Sequence, residues 1–139
     1  MPALKAFIVE DSPVILENLV ATLEELAQVE VVGSVPDEAG AVRWMSRDPN
    51  ASADLFIVDV FLRSGTGLGV LQAAQQLGVR ARRVVLTNYA TEEMRRRCAS
   101  LGAERVFDKS HELDDLISYC AELAETAEPQ ATRPAAAAN

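Results

Sequence analysis

The chain has 139 residues, 13 of them basic and 21 acidic, for a formal net charge of −8. That length fits one domain, and although alanine inflates the 49% hydrophobic content, enough Leu, Ile, Val and Phe remain for a compact core. An acidic balance supplies no positive field for non-specific nucleic-acid binding. Two distant cysteines and a single histidine make neither a disulfide framework nor a zinc centre. No apolar run approaches the ~20 residues of a membrane span, and Met1–Lys5 has no signal-peptide pattern, so a soluble, cytoplasmic protein without membrane contact is expected.

In chain order, Ala6-Phe7-Ile8-Val9 reads as a strand, then Val29 to Val32, Leu55 to Val58, Arg83 to Leu86 and Arg105 to Phe107. Their short, β-branched, non-alternating character predicts strands buried on both faces, as in parallel sheets. Between them Leu16, Leu19, Val20, Leu23 and Ala27 recur at helical spacing. Residues 38–47 form a weaker helix with Ala41, Val42 and Met45 inward. Val70, Leu71, Ala74 and Leu77 mark a third helix, Met94, Cys98 and Leu101 a fourth, and Leu113, Leu116, Ile117 and Cys120 a fifth. Ser12-Pro13 is an N-cap with proline at the first helical position, and Thr91-Glu92-Glu93 caps the fourth helix. Gly33, Gly78 and Gly102 fall where elements are expected to end. The order βαβαβαβαβα implies a parallel sheet wound by right-handed crossovers, with helices on both faces. The expected fold is α/β, flavodoxin-like and doubly wound, with five strands in the order 2-1-3-4-5 over residues 1–124. From Glu125 the pattern dissolves into Pro, Thr and Ala, and residues 125–139 are expected to form a disordered tail.

Ligands of open α/β sheets bind at the carboxyl ends of the strands. Here those ends carry Glu10-Asp11, Asp59, Thr87 and Lys109. In the order 2-1-3-4-5 they fall on adjacent strands and form one cluster of three carboxylates, a hydroxyl and an ammonium. At ~4 Å and an effective dielectric near 20, each like-charged pair costs about 4 kcal/mol before screening. One lysine does not neutralise three carboxylates, so a hard cation such as Mg²⁺, with Mn²⁺ as a substitute, is expected. A carboxylate in that setting can attack a phosphoryl group to form an acyl phosphate, its charge held by cation, lysine and hydroxyl.

The chain resembles the receiver domain of two-component response regulators, over roughly Lys5 to Leu123. The resemblance rests on Ile8-Val9-Glu10-Asp11-Ser12, Phe56-Ile57-Val58-Asp59, Gly67 eight residues after Asp59, Val84-Val85-Leu86-Thr87 and Phe107-Asp108-Lys109. It implies that Asp59 is the phosphoacceptor, that Glu10, Asp11, Asp59 and the Phe61 backbone carbonyl hold Mg²⁺, and that Lys109 pairs with the phosphoryl oxygens. Thr87 would swing toward the phosphoryl group, while Phe61 and Tyr89 flank the path of hydrolytic water. The implied phosphodonor is a sensor histidine kinase or phosphotransfer protein. Output would pass to a downstream protein, from a monomer or a phosphorylation-dependent dimer, with no direct nucleic-acid contact. The short stretch after the last helix leads to the expectation of a stand-alone switch without an attached output domain.

Three positions depart from the family pattern. Arg63 and Ser110 stand where proline is common, and Val106 occupies the place of the switch aromatic. Val106 and Ser110 keep open a second reading, a degenerate receiver acting as a constitutive adaptor. A phosphatase working through an aspartyl phosphate would want a second acid at Phe61, which is absent. Gly65-Thr66-Gly67-Leu68-Gly69 follows the third strand with the wrong spacing for a dinucleotide loop. Arg95-Arg96-Arg97 stands out in an acidic chain; together with Val106, Arg95 and Arg96 form a candidate surface for an acidic partner. Cys98 and Cys120 read as core thiols, and His111 as an exposed side chain.

Overall fold

The computed structural model describes residues 3–47 and 53–126. Five strands, β1 (Leu4–Val9), β2 (Val29–Val35), β3 (Leu55–Val58), β4 (Arg82–Thr87) and β5 (Arg105–Asp108), alternate with five helices. The helices are α1 (Pro13–Leu26), α2 (Glu38–Arg47), α3 (Gly67–Gln76), α4 (Glu92–Ser100) and α5 (Leu113–Thr126). All strand pairs are parallel, in the order β2-β1-β3-β4-β5. The doubly wound sheet expected from the alternation is therefore the one observed.

Each central strand is apolar on both faces because helices cover both. Ala6, Ile8, Leu55, Ile57, Val84, Leu86 and Phe107 point toward α1 and α5, where Leu19, Leu23, Leu116 and Cys120 meet them. The alternate residues Phe7, Val9, Phe56 and Val58 face Ala41, Met45, Val70 and Ala74 of α2 and α3. Val85 and Val106 pack with Leu71 and Cys98 toward α4. Both cysteines are buried; burial pushes the Cys120 thiol up to about 12 and the Cys98 thiol upward as well, which leaves them inert.

Two sequence expectations need correction. Gly33 does not end β2 but lies within it, at a register shift opposite Ala6/Phe7. A Cβ there would sit 3.0 Å from the Phe7 ring, and that ring stacks on Trp44 with centroids 4.0 Å apart. The glycine is room for an aromatic ring, the close-approach use of glycine inside a strand. Leu77, one of the apolar positions that mark the third helix, is not within it but its C-cap, and is 38% exposed. Helix α5 reaches Thr126, two residues into the stretch expected as tail; the rest of that stretch lies outside the described residues. Among the described residues no helix is long and apolar enough to cross a membrane.

Candidate functional site

The site is built by carrying the sheet's ladder one step beyond its strands. Glu10 N donates to Val35 O (3.1 Å), Asp59 N to Val9 O (2.9 Å) and Lys109 N to Thr87 O (2.9 Å). Because Val9 pairs with Val58, the next residues of the two strands, Glu10 and Asp59, emerge side by side. Helix α1 then leaves at once. The Ser12 hydroxyl accepts from Ile15 N (3.3 Å) and Pro13 opens the helix, so Asp11 is held at the rim of the sheet.

Gly67 fixes the other boundary. Its amide donates to Val60 O at 2.8 Å, and a Cβ at this position would collide with the Asp59 carbonyl oxygen and lie 2.8 Å from Val60 Cα. The first turn of α3 thus rests directly on the backbone that presents Asp59, and that contact requires glycine.

Glu10, Asp11 and Asp59 place carboxylate oxygens within 4.8 Å of one another. Glu10 is 4% exposed and Asp59 6%, so their charges receive little help from solvent. Lys109 Nζ supplies it, donating to Glu10 Oε1 and Asp59 Oδ2 at 2.8 Å each. Glu10 Oε2 accepts from Ser12 N (3.0 Å), Asp11 Oδ2 from Arg63 N (2.8 Å) and Asp59 Oδ1 from Phe61 N at a longer 3.3 Å.

The resulting electrostatics are asymmetric. Burial pushes the Asp59 carboxyl upward; Lys109 works against this, but one ammonium shared with Glu10 does not cancel it. Burial also disfavours the Lys109 ammonium, yet its hydrogen bonds to Asp59 and Glu10 outweigh that cost and raise its pKa. The net result is a lysine locked in its charged form beside carboxylates that remain under-neutralised. Those carboxylates are hard oxygen donors with negative charge to spare, the chemistry that suits a hydrated divalent cation.

A cavity of about 220 Å³ opens over this cluster, lined by Glu10, Asp11, Asp59 and Lys109 together with Ser12, Ile15, Phe61, Asn88 and Tyr89. Phe61 and Tyr89 meet edge to face at its mouth, centroids 4.9 Å apart, and both are more than half exposed. Thr87 is fully buried at the end of β4, where its hydroxyl accepts from Tyr89 N at 3.2 Å. Of the strand-end residues singled out in the sequence, Glu10, Asp11, Asp59 and Lys109 therefore converge on the cavity, whereas Thr87 does not line it and connects to it through Tyr89.

The candidate partner surface fares differently. Val106 is buried against Cys98 and Leu71 and presents little to solvent. Arg95 turns inward, donating to Ala90 O (3.1 Å), Val106 O (2.7 Å) and Glu112 Oε1 (2.8 Å). Arg96 and Arg97 are exposed. Sequence reading also missed Glu38, whose carboxylate accepts from Thr66 N in the loop after β3 (2.9 Å). An acid in the first turn of a helix looks like dipole compensation, and nothing local names a partner 28 residues away.

The family model for the response regulator receiver domain matches residues 6–121. No curated protein matches the chain. Solved structures share the fold at low identity. The signal receiver domain of the response regulator NarL from Mycobacterium tuberculosis superposes with a TM-score of 0.78 at 17% identity, covering 91% of this chain and 100% of that one. The response regulator domain of Thermotoga maritima CheB gives 0.77 at 16%, covering 92% and 100%. A DNA-binding response regulator of the LuxR family from Staphylococcus aureus gives 0.76 at 13%, covering 87% and 98%. Together with the strand order, the acidic cluster and its lysine, the match over most of the sequence settles the assignment: the chain belongs to the receiver domains of response regulators.

Proposed function

We propose that this receiver domain is a phosphorylation-controlled switch in which Asp59 accepts a phosphoryl group from a sensor histidine kinase or phosphotransfer protein. The observation that carries the reading is the buried Asp59 carboxylate, hydrogen-bonded to Lys109 (2.8 Å) and flanked by Glu10 and Asp11 under an open cavity. An Asp59 carboxylate oxygen attacks phosphorus, the phosphorus–nitrogen bond of a phosphohistidine breaks with its electron pair going to nitrogen, and the imidazole, already protonated on its other ring nitrogen, leaves as a neutral ring. Lys109 holds the phosphoryl charge as it shifts onto the new acyl phosphate. Glu10, Asp11, Asp59 and the Phe61 carbonyl would hold Mg²⁺, or Mn²⁺ in its place. A bound cation would neutralise charge on the transferring phosphoryl oxygens.

Thr87 responds through the segment it already holds. A hydroxyl drawn toward a phosphoryl oxygen gives up its bond from Tyr89 N and biases the β4–α4 segment, the two-state element such a switch needs. With Arg95 engaged internally, the exposed arginines of α4 are the candidates for meeting an acidic target. Reversing charge at Arg96 is expected to weaken capture of a target by the phosphorylated protein while leaving phosphorylation unchanged; undiminished capture would remove α4 from the output surface.

The deciding experiment is intact-mass analysis after incubation with acetyl phosphate or a phosphorylated histidine kinase, with Mg²⁺ or with EDTA. Wild type is expected to gain one phosphoryl group only with Mg²⁺, and Asp59→Asn none. A wild type that gained nothing from either donor would leave the constitutive-adaptor reading in its place.

A further inference from the structure

We propose that Glu38 is a positioning residue: from the first turn of α2 it sets the β3–α3 loop and, through that loop, the cation-binding end of the site. The inference rests on the cation reading given above and assigns it a residue outside the acidic cluster.

The loop leaves β3 at Asp59 and enters α3 at Gly67. Phe61 and Thr66 pair across it in an antiparallel bridge, which folds the segment back on itself. Two carboxylates hold it from outside. Asp11 Oδ2 accepts from Arg63 N at 2.8 Å, and Glu38 Oε1 accepts from Thr66 N at 2.9 Å. Glu38 also donates its own amide to Ser64 O at 3.2 Å, so one residue grips the loop at two points. Thr66, held by Glu38, is the bridge partner of Phe61, whose carbonyl is a candidate cation ligand. Arg63, between the Glu38-held residues and Phe61, orients Asp11, another candidate ligand.

Two glycines make room for this grip. Gly65, at φ +76°, would put a Cβ 2.6 Å from Glu38 Oε1. A Cβ on Gly69, in the first turn of α3, would overlap the same carboxylate. The carboxylate also strengthens the bond to Thr66 N by carrying charge. Supporting contacts of this kind orient ligands, and losing one commonly costs tenfold or more in metal affinity.

The test is Mg²⁺ binding to the unphosphorylated protein by isothermal titration calorimetry, together with acetyl-phosphate labelling across a Mg²⁺ series. Glu38→Ala is expected to raise the Mg²⁺ dissociation constant about tenfold. The Mg²⁺ concentration for half-maximal labelling should rise in parallel, with the maximal rate at saturating Mg²⁺ retained. Glu38→Gln keeps an oxygen acceptor for Thr66 N without its charge and is expected to fall between wild type and Glu38→Ala. Gly69→Ala keeps Glu38 but displaces its carboxylate, and is expected to reproduce the loss in a helix that alanine favours. That variant keeps the inference testable should Glu38→Ala fold poorly. Wild-type affinity in folded Glu38→Ala or in Gly69→Ala would overturn the inference. A wild type that bound no Mg²⁺ would overturn the cation reading itself, an outcome visible before any variant is compared.

Discussion

Replacing Lys109 with methionine is expected to destabilise the cation-free protein by about 3 kcal/mol at neutral pH, a large share of the ~5–15 kcal/mol available to a domain. The methylene stem is nearly conserved, so the loss is electrostatic. Glu10 and Asp59, both almost fully buried, lose the ammonium that donates to each at 2.8 Å, and breaking such an arrangement strands charge where water does not reach it. The sign of the pH dependence follows from Asp59. Burial already raises its folded-state pKa, so its contribution to stability is complete below the unfolded value and is lost as pH rises through the folded one. Removing Lys109 takes away the group that lowers this pKa and pushes it further up. The deficit of the variant should therefore be largest at neutral pH and shrink as Asp59 protonates in acid. Mg²⁺ at a hundred times its dissociation constant returns about 2.7 kcal/mol, and the variant should gain from it as the wild type does. Urea unfolding of both proteins with EDTA and with Mg²⁺, at neutral and acidic pH, reads all of this. Equal stability in EDTA at neutral pH would show that the two carboxylates do not depend on the ammonium.

The reasons this site could be anticipated are local. A parallel strand buried on both faces is a continuous apolar run, and a polar residue ending such a run has only the sheet's carboxyl edge to occupy. Glu10, Asp59 and Thr87 each end one, Lys109 follows one after Asp108, and fixing the strand order places all four at the same edge. The caps at Ser12 and Thr91 were equally legible, and their hydroxyls accept from Ile15 N and Met94 N. What escaped reading depends on contacts between distant segments. Gly33 looks like a strand end because glycine is a poor strand former; the Phe7 ring that requires it belongs to another strand. Arg95-Arg96-Arg97 reads as one charged run, but consecutive helical residues point about 100° apart. Arg95 therefore reaches back to the Val106 carbonyl while its neighbours face outward. Its bond also holds the Glu112 carboxyl below the usual range and ties α4 to the β5–α5 segment. There the Arg95 guanidinium bridges Ala90 O to Val106 O.

Phosphorylated Asp59 is expected to hydrolyse slowly, and Phe61→Asn combined with Tyr89→Glu is expected to speed its loss at least tenfold, a barrier change of about 1.4 kcal/mol. An attacking water must approach phosphorus opposite the Asp59 oxygen, from the cavity mouth, and that mouth carries the edge-to-face Phe61–Tyr89 pair. Two rings there exclude solvent and offer no carboxylate or amide to orient a water or accept its proton. General-base assistance is commonly worth a hundredfold or more, so tenfold is a conservative expectation for a pair that both opens the mouth and adds polar groups. The rings are more than half exposed, so substitution should cost little stability, and the two single variants should divide the gain between access and orientation. Loss of label from purified phosphoprotein, followed in the presence of Mg²⁺, measures the rate directly. A double variant no faster than wild type would mean that water reaches the phosphoryl group by a route the aromatic pair does not control. A rate raised fully by Phe61→Ala alone would instead assign the effect to steric access, since alanine opens the mouth without supplying a group to orient water.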